Sequence, residues 1–382
     1  MDVRLFSSFS ELPPDANLLF SAAGNQCFFS SLPWFNTFVD YGLESGDDVR
    51  IYWTSSACGN EGQSCALAMV HRTADSKFWK PRKLCSLSSY YTCLFAPIWN
   101  RSASQPSAEK LARAIAADSL VWDEIEVRPL DPESPTFTAL VLGLKSAGFV
   151  VQTYFCFGNW YLPVGNRSFA KYLESLPSAV KNTLDRKKRK LERFGGAKIE
   201  IVTGGEGLEA AIEAYNAVYQ ASWKQPEPFP HFVPELIRTC AKLGSLRLGI
   251  IYVRDKPAAA QFWIVHDGKA LIYKLAYDEQ FTDLSVGTIL TATLMQHVID
   301  VDLVKEVDYL SGDDTYKKSW MSHRRERWGI LAMNPRTMRG ALGIARHVGG
   351  RAIKRLLQFL VNYGRGAQKR HAKVNAARAV GQ

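Results

Sequence analysis

The chain has 382 residues, 47% of them hydrophobic, enough for a sizeable core and, at the usual domain size, for two domains. Its apolar runs, such as LGIIYV at 248–253, fall well short of the roughly 20 residues that cross a bilayer, so no transmembrane helix is expected. The net charge of +10 is uneven: of 47 Lys and Arg, 11 lie in 335–382, which has no Asp or Glu, leaving 36 bases against 37 acids in the rest. The body is therefore near neutral, which argues against nucleic-acid binding by the body as a whole.

The start, MDVRLFSSFSELPPD, lacks the positive-then-apolar order of a signal peptide, which predicts a cytoplasmic protein. Seven cysteines form no C-x-x-C pair and have no histidine at zinc spacing, so reduced, mostly buried thiols and no metal are expected. Cys27, in the aromatic stretch CFFSSLPWF, reads as packing rather than as a nucleophile.

In chain order, SLPWFNTFVDYG (31–42) predicts a short helix with a Ser start and a Gly stop. VRIYWTSS, SCALAMVHR and LCSLSSYYTCLF predict an antiparallel meander. Helix, strand, helix and strand then follow in PSAEKLARAIAADS, VWDEIEVRPL, SPTFTALVLGLKSAG and FVVQTYFCFGNWYLPV. A second unit opens with the helices SFAKYLESL and PSAVKNTLDRKKRKLERFGG and the strand AKIEIVTGG. Two more helices, GLEAAIEAYNAVYQASW and ELIRTCAKLG, flank a Pro-rich loop. Three strands joined by the tight turns R-D-K-P and H-D-G-K follow, then DLSVG opening into the helix TILTATLMQHVID, then the strand EVDYL.

Four places could carry chemistry. A helix start leaves backbone N–H groups free and partly positive, so the small-residue entry Ser285, Val286, Gly287 and Thr288 can approach a phosphate; an ordinary cap is the competing reading. After EVDYL, Gly312 lets the chain turn and gathers Asp308, Asp313, Asp314 and Tyr316 near the strand end, a carboxylate and a phenol suited to base and acid work, or a polar turn capping the next helix. Trp223 and Lys224 close a helix before the loop bearing His231, a position that could border an acceptor groove, although Trp223 also suits a buried anchor. Arg186 to Lys190 are five consecutive bases that suit phosphate, RNA or an anionic acceptor, or a solvated face.

Six ordered motifs between Leu184 and Trp320 carry a resemblance: LDRKKRKLERFGG; AIEAYNAVYQASWK; LGIIYVRDKPAAAQF; LIYKLAY; SVGTIL; and VDYLSGDDTYKKSW. Together they resemble the FemAB/CelD-like branch of the GNAT acyltransferase superfamily, and the SSLPWF helix with its following strands is loosely similar to the first half of such proteins. The resemblance implies an α+β fold of tandem GNAT-like domains, each a mixed, mainly antiparallel sheet flanked by helices. These would be 1–165 and the acyltransferase domain 166–334, followed by a basic helical extension, 335–382.

It also implies acyl transfer without a covalent enzyme intermediate, from acyl-CoA to an amine or hydroxyl of a sugar, cell-envelope or exopolysaccharide precursor. The pyrophosphate would meet the amides of Val286, Gly287 and Thr288, the base would be Asp308, Asp313 or Asp314, Tyr316 the acid or acceptor-positioning group, and Lys317 an anion contact. FemAB relatives use aminoacyl-tRNA, the alternative donor; the chain lacks their long helical arm, which favours acyl-CoA. SVGTIL departs from the full GNAT pyrophosphate pattern, which keeps open an inactive scaffold subunit of a polysaccharide-synthesis complex. In the extension, Met338, Leu342, Ala345 and Val348, then Ile353, Leu356, Leu357 and Leu360, recur at helical spacing among Arg and Lys, a pattern suited to the anionic inner face of the cell membrane or to packing on the body.

Overall fold

The computed structural model describes residues 3–54, 64–72, 80–100 and 105–347. The first half comprises strands β1 (Val3–Phe6), β2 (Asp48–Thr54), β3 (Cys65–His71), β4 (Lys83–Ser86), β5 (Ile98–Trp99), β6 (Glu124–Leu130) and β7 (Val150–Pro163). Its helices are α1 (Pro14–Gln26), α2 (Leu32–Tyr41), α3 (Gln105–Ala116) and α4 (Pro135–Ser146). In the second half, helices α5 (Phe169–Ser175) and α6 (Ser178–Arg193) lead into β8 (Lys198–Val202), α7 (Leu208–Gln220), α8 (Phe232–Lys242), β9 (Leu246–Val253), β10 (Lys256–His266), β11 (Lys269–Tyr277), α9 (Val286–Asp300), β12 (Glu306–Asp308), α10 (Thr315–Trp320) and β13 (His323–Met333).

Apart from β5, which pairs with β3, the strands form one sheet in the order β1-β2-β3-β4-β6-β13-β7-β12-β11-β10-β9-β8. The order is palindromic about β13 and β7. The parallel pair β4–β6 answers the parallel pair β11–β12, and antiparallel β6–β13 answers antiparallel β12–β7. Each half repeats strand, two helices, three strands, helix, strand, helix, strand, so the architecture is a tandem of GNAT-like units in which each half lends its last strand to its partner's sheet. The β7–β13 ladder runs from Tyr161 opposite His323 to Val150 opposite Met333. Gly329 is needed there: a Cβ would lie 2.3 Å from the ring of Tyr154, whose hydroxyl donates to Glu126.

The elements follow their local chemistry. Ser31, Ser134 and Ser168 cap α2, α4 and α5 with their side chains, and Pro at the first turn of α2 and α4 fits an end where no N–H is required. The aromatic stretch at 28–38 is the seam between the halves: Trp34 and Phe38 meet Phe232 of α8 edge-on at 5.8 and 6.0 Å, and Thr37 hydrogen-bonds Thr239. Cys27 sits against this seam, its thiol pKa pushed up by burial, in keeping with a packing role. Cys58 lies outside the described residues.

Three features depart from the sequence expectations. LCSLSSYYTCLF is a strand only over β4; after Ser86 the chain leaves the sheet and carries Tyr90, Tyr91 and Cys93 towards the second half. EVDYL pairs only over Glu306–Asp308. In the C-terminal extension, 338–347 is helical, Met338 and Leu342 are 91% and 71% exposed, and Ala345 is exposed, so this part of the stripe does not pack on the described body. Val348 onward lies outside the described residues. No helix among the described residues is long and apolar enough to cross a membrane.

Candidate active site

Strands β11 and β12 pair only from Lys269 opposite Glu306 to Leu271 opposite Asp308 and then part. Two adjoining cavities occupy the gap, of about 400 and 340 Å³, sharing Trp223, Leu275, Tyr309 and Tyr316 as walls. The corresponding gap between β4 and β6 is stitched shut. Ser86 and Ser88 both donate to the Arg128 carbonyl at 2.7 Å, and the Phe95 amide donates to the Pro129 carbonyl at 2.7 Å.

The larger cavity lies at the start of α9 and is lined by Ser285, Val286, Gly287 and Thr288. Ser285 adopts a left-handed conformation (φ 53°, ψ 41°) and its side chain does not cap the helix. The Thr288 amide turns back to the Ser285 carbonyl at 3.0 Å, whereas the Val286 and Gly287 amides have no acceptor among the described residues. Two N–H groups thus lie without a partner among the described residues at the positive end of a four-turn helix whose first residues line the cavity. Buried Gln261 steadies this end by donating to the Gly287 carbonyl at 2.9 Å and to Thr291 at 2.8 Å. Lys187 and Lys190, from the basic run on α6, donate to the Asp283 carbonyl at 2.6 and 3.3 Å, which sets that run beside the helix entry.

The smaller cavity lies on the far side of Tyr316. Gly312, with φ +105°, turns the chain after β12; a side chain there would meet Lys317 Nζ at 2.7 Å. Of the three aspartates, Asp314 alone lines either of these two cavities, half-exposed and 3.1 Å from buried Lys317, which also donates to the Ser311 carbonyl. Asp308 is buried in a structural network, accepting from Arg325 and Asn159 at 2.5 Å and from the Leu310 amide at 2.6 Å. Asp313 points outward to Arg324 at 2.8 Å and Trp160 Nε1 at 2.7 Å; chiefly the Arg324 hydrogen bond holds its pKa below the ordinary value. Neither lines either cavity.

Tyr316 borders both cavities, edge-on to Tyr309 at 5.8 Å, and its hydroxyl has no protein partner among the described residues. Burial, then Asp314, raises its pKa, so the phenol keeps its proton at neutral pH. Trp223 is half-exposed and packs against Tyr277 at 4.6 Å, and so forms an open wall rather than a buried anchor. Lys224 lines the smaller cavity, and His231 lies apart from it, on an outer groove that Lys224 also borders.

Sequence reasoning missed the contribution of the first half. Tyr90 and Tyr91 both donate to Glu227, which also accepts from Lys274 at 2.7 Å, and the Lys274 ammonium lies 5.0 and 4.9 Å from the two tyrosine rings. Burial alone would raise the Glu227 pKa; Lys274 and these donors outweigh it and keep the carboxylate charged. The doublet YY in a β-rich run gives no sign that it reaches another domain. The signal in reach was KLAY, whose Lys274 points into the gap from β11.

A likeness to known proteins agrees with this geometry. Residues 178–318 match the family model described as an acetyltransferase (GNAT) domain. No curated protein matches the sequence. Among solved structures, the crystal structure of FemX is similar at a TM-score of 0.56 and 10% identity, covering 86% of this chain and 96% of that one. A conserved protein of unknown function from Bacteroides thetaiotaomicron is similar at a TM-score of 0.54 and 9% identity, covering 87% and 100%. The fold is of the GNAT kind. More particularly, residues 178–318 are similar to a GNAT acetyltransferase domain, and the chain as a whole shares the fold of FemX.

Proposed function

We propose that the protein transfers an acyl group from acyl-CoA to an amine or hydroxyl of a sugar or cell-envelope precursor. The reading rests above all on one observation: two amides at the start of α9 and the Tyr316 hydroxyl, none with a partner among the described residues, belong to residues that line two adjoining cavities between parted strands. The Val286 and Gly287 amides would hold the pyrophosphate, with Trp223, Tyr277 and Tyr309 flanking the pantetheine path. The acceptor would occupy the smaller cavity. Its nucleophile would lose a proton to Asp314 and attack the thioester carbonyl directly, and Tyr316 would donate its proton to the leaving thiolate. Lys317, 3.1 Å away, would hold the Asp314 carboxylate in place.

Three readings compete, and one set of measurements separates them. Mass spectrometry of the purified protein for a bound CoA thioester names the donor directly. Aminoacyl-tRNA as donor is favoured by one observation, the Arg186–Lys190 run beside the α9 entry; it predicts salt-sensitive tRNA binding abolished by charge reversal of that run. A scaffold role in a polysaccharide-synthesis complex predicts that function in cells survives single replacement of Asp314 and of Tyr316. The exposed Met338 and Leu342 among basic residues support a peripheral position on the anionic inner face of the cell membrane.

The domain division 1–165, 166–334 and 335–382 stands within this proposal as two functional halves and an extension. The first half supplies the acceptor wall through Tyr90 and Tyr91, and the second supplies the donor site.

A further inference from the structure

Three lysines, Lys224, Lys274 and Lys317, line the smaller cavity, and among the described residues two of them are paired with carboxylates. Lys274 is bonded to Glu227 at 2.7 Å, and Lys317 to Asp314 at 3.1 Å. Lys224 borders the same cavity, and among the described residues its Nζ has neither a hydrogen bond nor an ion pair. Its company is aromatic: the ammonium lies 5.7 Å from the Tyr219 ring and 5.9 Å from the Trp223 ring. Burial first, then repulsion from Lys274 and Lys317, lowers its pKa to about 8 against the weaker pull of Glu227 and Asp314.

An ammonium withdrawn from water without a counter-ion is destabilising, and an apolar side chain of the same length would avoid that cost. Ring faces return only part of the lost hydration. The position also bridges two spaces, because Lys224 borders both the cavity and an outer groove whose charged and titratable lining is Glu209, Glu213, Glu227, His231 and Arg238, Glu209 being paired with Arg238. A ligand anion at this neck would supply the partner that the Lys224 ammonium lacks among the described residues and leave the groups on either side of it in different spaces.

We propose that Lys224 is the seat for an anionic group of the acceptor, a phosphate or a carboxylate, held at the neck between the inner cavity and the outer groove. The inference rests on the reading of the two cavities as donor and acceptor sites. The nucleophile then lies on the inner side, towards Asp314 and Tyr316, and the remainder of the acceptor runs outward past His231.

The test uses the full chain saturated with CoA, so that the α9 amides are occupied, and three probes with the same amine: D-glucosamine, D-glucosamine 6-phosphate and D-glucosaminic acid. Calorimetry is expected to show one or both anionic probes binding about tenfold or more tightly than D-glucosamine, and which of them does so identifies phosphate or carboxylate. Lys224→Met should erase the preference and Lys224→Arg retain it. Because an anion favours the charged amine, binding at pH 9 should take up a proton, read from the buffer dependence of the heat, and this uptake should be absent in Lys224→Met. Equal binding of the three probes, no binding of any, or a preference that survives Lys224→Met overturns the inference. If CoA itself does not bind, the acyl-CoA reading fails, and the same titrations on the protein alone still decide the role of Lys224.

Discussion

Arg325 of β13 reaches across β7 to the carboxylate of Asp308 on β12 at 2.5 Å, with its guanidinium 4.2 Å from the Tyr161 ring. The same side chain bonds Glu306 at 2.8 Å and Asn159 Oδ1 at 2.7 Å, so one arginine links β7, β12 and β13 at the junction of the halves. Removing one partner leaves the other buried and uncompensated, at a cost of about 3–5 kcal/mol. Arg325→Met is therefore expected to lower the denaturation midpoint strongly and to do so for both halves in one transition. Denaturant unfolding followed by tryptophan fluorescence checks this. Asp308→Asn, which keeps the shape, should cost less, and its loss of activity should track its loss of folded protein, because Asp308 faces no cavity.

Tyr316→Phe removes only the free hydroxyl between the cavities. Under the proposed mechanism it should lower kcat by about 100-fold or more, with little change in donor affinity. Asp314→Asn should act similarly on kcat, whereas Asp313→Asn, on the outward-facing pair with Arg324, should leave it within about threefold. Thiol release during turnover measures all three.

Much of this was legible in the sequence, and the limits have physical causes. The helix start at SVGTIL and the turn at Gly312 stand out because both rely on small residues where the backbone must be exposed or bent. The strand RRERWGILAM gives no strand signal because its first half is charged; Arg325 bonds Asp308, Glu306 and Asn159 at the sheet while Arg324 pairs outward with Asp313, uses that appear only when β7 and β12 lie alongside. Composition could not rank Asp308, Asp313 and Asp314. Their different fates follow from Arg325 and Arg324, which come from a strand further along the chain. Tyr90 and Tyr91 were invisible for the same reason: their partner, Glu227, is 136 positions or more away from them.

Lys224 gives a pH signature of stability. Its pKa falls from 10.5 to about 8 on folding, so between those values the unfolded chain holds more protons and stability rises with pH; below about pH 8 the cost of the buried charge is fully present. Lys224→Met should stabilise the protein at pH 7 by roughly 1–2 kcal/mol, after discounting for the partial exposure of the side chain. The advantage should shrink as pH rises from 8 to 10. Thermal melts of both proteins across that range check the sign: an advantage that grows with pH would contradict it.

The exposed Met338 and Leu342 predict a surface role for the C-terminal extension. Full-length protein should sediment with vesicles containing phosphatidylserine and less so with neutral phosphatidylcholine, and added salt should weaken the binding. Deletion of 336–382 should abolish the sedimentation; unchanged partition after deletion would remove the membrane proposal.

Calorimetric titration with acetyl-CoA tests most directly whether the start of α9 receives an acyl-CoA, as proposed. One binding event per chain is expected in the wild type. In Gly287→Leu, where the added Cβ would lie 3.4 Å from the Tyr277 ring and the rest of the side chain would project beyond it, affinity is expected to be lower by about tenfold or more, with the fold retained. No heat and no thermal shift with acetyl-CoA or longer acyl-CoAs, or equal affinity in Gly287→Leu, would contradict it.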